Sequence, residues 1–163
     1  MFRLRAGIIV AAILVVVMAV TKLHRGAILW AGYIFFAFAL ISVVWLENMW
    51  VIRHLGVLAT GTLFVSAQLS ILVGRPFTED YAREHVPEEL WNSPSFIKGC
   101  YTTTAAWAIV FFVNCMLNVV KLSCPETPEL IFTLSEYSVL LIGIIFTNIY
   151  SGIAGKRRRE VQE

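Results

Sequence analysis

Five side chains able to hold a metal ion or move a proton fall between positions 80 and 89: Asp80, Glu84, His85, Glu88 and Glu89. Carboxylates and imidazole are common ligands for divalent cations and the usual general acids and bases. Their spacing fits no recognised metal motif, however, and Pro87 interrupts the helix that would have to align them. No phosphate-binding glycine loop, G-x-S-x-G, H-E-x-x-H or C-x-x-C occurs elsewhere in the chain. The expectation is therefore a protein without catalytic residue, metal or cofactor. Residues 75–98, which contain the cluster, carry three basic and five acidic side chains, net −2, so nucleic acid is not an expected partner.

A second set of polar groups lies within apolar sequence. Thr103, Trp107, Phe111, Asn114 and Asn118 follow the 3–4 spacing of one helical face, and Lys121 continues it. In lipid an amide must find its partner within the protein. Gln68, Glu136 and Asn148, on other apolar runs, are the natural candidates. Asn114, Asn118, Glu136 and Asn148 could line a path for a small solute, a proton or a lipid. The simpler reading is a clamp of hydrogen bonds between helices. Two further faces, Thr62/Ser66/Ser70 and Gly143/Thr147/Ser151, have the small residues that let membrane helices, or a second copy of the chain, approach closely.

The elements that must position these residues are set by composition. Of the 163 residues 58% are hydrophobic and only 15% charged, with a mean hydropathy of +0.75. A soluble domain carries about 25% charged residues. The charges cluster between long apolar runs at 6–21, 26–46, 55–74, 99–120 and 130–155. A helix needs about 20 apolar residues to cross the hydrocarbon core. The fold class expected is all-α: one integral-membrane bundle of about five transmembrane helices. The first run has 16 residues and spans only if Arg5 and Lys22 snorkel outward. "MFRLR" and Val17-Met18-Ala19 also resemble a cleavable signal, but the next run begins four residues after Thr21, which favours a retained helical hairpin.

Orientation follows from Lys and Arg. With five spans, nine fall on the side of the C-terminus and four on the other, which places residues 75–98 and the C-terminus in the cytoplasm. Trp45, Trp50 and Tyr101 mark span ends. The basic run Lys156–Arg159 enforces this topology or attracts anionic lipid headgroups. Cys100 and Cys124 are 24 residues apart, about 36 Å along a helix, too far to bridge.

Residues 75–98 read as a 24-residue cytoplasmic amphipathic loop of two short helical turns. Thr78 would cap the first turn, Pro87 would end it and open the second, and Ser93-Pro94 would break that one. Phe77, Tyr81, Trp91 and Phe96 are too few for a core and must lie on the bilayer, the bundle or a partner. Tyr81, Arg83, Glu84, Trp91 and Phe96 are the expected docking contacts, since aromatics mixed with charges suit an interface.

Pro87 and Trp91, then Ala106-Trp107-Ala108, Leu117-Asn118, Phe146-Thr147 and Ser151-Gly152, occur in an order that resembles the septation protein A family. These are small five-helix proteins of the bacterial inner membrane. The resemblance covers mainly residues 74–155. It implies a role in cell-envelope maintenance or division exercised through protein partners, and no catalytic residue.

Overall fold

The computed structural model of the chain describes residues 27–162, with side chains from 30 to 153. The first apolar run, 6–21, lies outside the described residues. All regular structure among the described residues is helical. Helix α1, Ala27–Ala39, widens into a π-helical turn over Leu40–Trp45. Glu47 then adopts φ 47°, and Asn48 caps the next helix by accepting from Trp50 N–H at 3.0 Å and Val51 N–H at 3.2 Å.

Helix α2, Met49–Leu72, ends where the chain must turn left-handed, and Gly74 supplies it at φ 78°. Gly74 N–H donates to Ile71 C=O and Arg75 N–H to Ser70 C=O, the paired bonds of a Schellman motif. The short helix α3, Thr78–Arg83, and a 3-10 turn, Glu88–Leu90, follow.

Helix α4, Pro94–Ser123, opens on Ser93, whose hydroxyl accepts from Phe96 N–H, with Pro94 in the first turn. Ser93-Pro94 thus starts the long helix instead of ending a short one. Helix α5, Glu129–Gln162, returns antiparallel after a turn closed by the Lys121–Glu129 ion pair at 2.7 Å.

Three helical stretches, Met49–Leu72, Pro94–Ser123 and Glu129–Ile153, are long and apolar enough to cross a membrane. Trp30–Trp45 is apolar but shorter. Neighbours in sequence pack side by side: α1 on α2 and α4 on α5, while α4 also takes the broad face of α2 and the underside of α3. Ala39, Val43 and Val51 form one buried cluster, and Ala67, Phe77 and Ala108 another. Ile34, Val65, Ile109, Ile142 and Ile149 point outward, as apolar residues do when lipid is the solvent.

The small-residue faces behave as packing surfaces. Thr62 and Ser66 donate back to the carbonyls of Leu58 and Thr62, so their polarity is spent within α2. Ser70 donates to Ala67 C=O and also accepts from Phe77 N–H at 3.2 Å, which ties the start of α3 to α2.

Candidate functional site

Segment 75–98 is fastened to the bundle along its inner side. Thr78, in the first turn of α3, does not cap that helix. Its hydroxyl donates to Cys100 C=O at 2.9 Å and lies 2.8 Å from the hydroxyl of the fully buried Thr104. Phe77 is buried beside Ala67 and Ala108. Trp91 folds back so that its indole N–H donates to Val86 C=O at 2.9 Å. Arg83 pairs with Glu79 one turn before it and lies over the Trp91 ring, its guanidinium carbon 4.9 Å from the centroid. The segment is therefore a folded platform with a defined outer face.

The five expected docking residues divide. Arg83 and Glu84 are exposed, and Trp91 is half-buried under the guanidinium. Tyr81 turns its ring toward Phe77, with centroids 6.4 Å apart. Phe96 is only 1% exposed and is not a surface contact. The first turn of α4 directs it into the bundle, where an aromatic ring gains more than in water.

Partial desolvation of its largely exposed carboxyl, and after it the neighbouring carboxylate of Glu79, raises the pKa of Asp80 above its ordinary 3.8; Arg83 and Arg75 oppose this. With a raised native pKa, the folded chain keeps a proton that the unfolded chain has lost. The contribution of Asp80 to stability is then greatest below 3.8 and declines as pH rises from there through the native value. Asp80→Asn should flatten that decline, which thermal unfolding between about pH 3.5 and 7 measures. An unchanged slope in the variant would remove Asp80 as its source. Burial, with help from Asp80 and Glu84, also raises the Tyr81 pKa and keeps its phenol protonated.

The polar positions within the helices do not converge. Asn114 is buried and donates to Val110 C=O at 3.1 Å, and Asn118 donates to Asn114 C=O at 2.9 Å. Asn118 fills the space left by Gly56 of α2, where an added Cβ would meet its side-chain oxygen and lie 2.9 Å from its Cγ. Neither amide bonds to Gln68, Glu136 or Asn148; Gln68 and Asn148 are exposed. A carboxylate oxygen of Glu136 is buried without a hydrogen bond among the described residues.

A cavity of about 660 Å³ lies instead where α3 covers the junction of α4 and α5. Phe96, Gly99, Cys100, Thr103 and Trp107 give it a stripe of α4, and Thr147, Asn148 and Ser151 give it the facing side of α5. Trp107 indole N–H donates to Thr147 Oγ1 at 3.0 Å across the inner end. Gly143 brings the helices together there, with Val110 and Trp107 against it. Reading the sequence for amides and charges reaches this site only at Asn148, on its α5 wall, and does not bring out the cavity. Its one local signal is the 3–4 spacing of small and aromatic residues from 96 to 107.

No protein-family model, curated protein or solved structure matches the chain. Among the described residues no group of three His, Cys, Asp or Glu side chains could hold a metal ion. Cys100, Cys115 and Cys124 form no disulfide among the described residues.

Proposed function

We propose that this multi-pass membrane protein is a non-enzymatic adaptor that holds a basic segment of a partner protein on its 75–98 platform. The observation that carries the reading is the construction of the platform. Hydrogen bonds from Thr78 to α4 and from Trp91 to Val86 fix it from beneath, and Arg83 stacks over Trp91 on the outer side. A mere linker needs no such fastening. Asp80, Glu84, Glu88 and Glu89 are exposed on it, so the complementary surface is basic. The Lys and Arg distribution supports a bacterial inner-membrane orientation with the platform and C-terminus in the cytoplasm. The order of Pro87, Trp91, Trp107 and Asn118 supports a role like that of septation protein A, in cell-envelope maintenance or division.

Photo-crosslinking in living cells from a probe at Glu84, with adducts identified by mass spectrometry, tests this. A single protein adduct with a basic contact segment is expected. Trp91→Ala or Glu88→Lys/Glu89→Lys should reduce its yield at least tenfold while the chain stays inserted. Adducts to phospholipid alone, or equal yields from the charge-reversed chain, would defeat the adaptor reading.

A further inference from the structure

The cavity under α3 suits an apolar ligand and rejects a charged one. Its volume of about 660 Å³ lies within the range of about 300–1,000 Å³ typical of small-ligand sites. Rings wall it on three sides: Phe77 and Tyr81 at α3, Phe96 and Trp107 of α4, and Tyr150 of α5. Among the described residues that line it there is no Lys, Arg, Asp or Glu. An ionised group would lose its hydration there without gaining a counter-charge.

The same cavity holds polar groups that the protein leaves unmatched. Thr78 and Thr147 spend their hydroxyls on the backbone carbonyls of Cys100 and Gly143. Asn148 and Ser151, three residues apart on one face of α5, also line the cavity, and neither side chain makes a hydrogen bond among the described residues. By contrast, the amides of Asn114 and Asn118 and the hydroxyls of Thr133 and Ser138 all bond back to their own helices. Asn148 stands seven residues from the midpoint of Glu129–Ile153, about 10 Å along the axis, inside the roughly 15 Å half-thickness of the hydrocarbon. Lipid tails supply no partner at that level. Both residues are exposed, so the cavity opens to the bilayer on its α5 side.

We infer that the cavity holds one uncharged lipid that presents carbonyl oxygens, with Asn148 Nδ2 and Ser151 Oγ donating to them and the apolar body among the rings of Phe77, Phe96 and Trp107. The carbonyls belong to the ring of a membrane quinone or to the esters of a diacylglycerol, two sources of one chemistry. The site is independent of any partner on the platform's outer face.

Native mass spectrometry of the full chain in detergent micelles tests this and separates the sources. A short-chain prenyl quinone, dioctanoylglycerol and dioctanoylphosphatidylglycerol are offered at equal concentration; the last differs from the second only in its anionic head. One quinone or one diacylglycerol per chain should survive activation that strips the phosphatidylglycerol, in at least tenfold excess over it. The uncharged lipid kept in greater amount names the source. Asn148→Leu should lower that retention at least tenfold, whereas Gln68→Leu, which removes an exposed amide of α2 outside the cavity, should leave it unchanged. Ala82→Phe, which narrows the cavity from the α3 side, should lower it as far while the chain stays inserted. Retention of neither uncharged lipid, equal retention of phosphatidylglycerol, or full retention by Asn148→Leu or by Ala82→Phe would overturn the proposal.

Discussion

Phe96→Ala is expected to destabilise the chain by about 3–5 kcal/mol and to loosen the whole 75–98 platform. Phe96 has the largest fully buried side chain among the described residues, and it is placed by a single local device. Ser93 accepts from its backbone N–H at 3.3 Å, Pro94 presets the first turn, and the ring is thereby aimed inward. Removing it opens space directly beneath α3, where Thr78 bonds to Cys100 and Thr104. Two readouts separate packing from insertion. Unfolding in mixed micelles should give the free-energy loss, and trypsin should cut after Arg83 and Lys98 faster than in the parent chain. A loss under about 1 kcal/mol with unchanged cleavage would show that the ring does not hold the platform.

Gly56→Ala should cost about 1–3 kcal/mol by overpacking, although alanine is the better helix former. The new methyl would meet the Asn118 side chain, which can rotate away only by giving up its 2.9 Å bond to Asn114 C=O. Freed from that bond in an apolar bundle, the amide has little else to satisfy it. Helices α2 and α4 already approach closely here: Cys115 Sγ lies 3.8 Å from Val57 C=O and would lie 3.7 Å from a Cβ at Gly61. Asn118→Ala in the same chain should restore most of the loss. That recovery, read as a coupling energy in a double-mutant cycle, measures the contact. Additive losses would mean that Gly56 and Asn118 do not share this space. The outcome also bears on transport, because an amide filling the gap at Gly56 serves as a seal between helices.

Much of the architecture is legible along the chain because it is decided within a few residues. Long uncharged runs require helices, since lipid satisfies no backbone group. Asn48, Gly74 and Ser93-Pro94 mark helix ends through bonds that reach three to five residues. Even so, Ser93-Pro94 reads equally as a stop or a start, because proline disfavours helix before itself and favours it after. Thr78 shows the limit of the local argument. Its hydroxyl could cap its own helix, but the bond to Cys100 and the contact with Thr104 on another helix prevail.

The sequence by itself determined a helical, multi-pass membrane chain with one folded polar segment and a basic end. Only the tertiary structure decided that Phe96 turns inward, that Asn118 answers Gly56 instead of another polar side chain, and that Thr103, Trp107 and Thr147 meet around a cavity. In water, an apolar stripe on a helix announces which face is buried. Here the outward faces are as apolar as the inward ones, so hydropathy carries no such signal. Which helix meets which, and on what face, is left to the shapes of small and aromatic side chains, and shape complementarity between distant segments is not written in any local pattern.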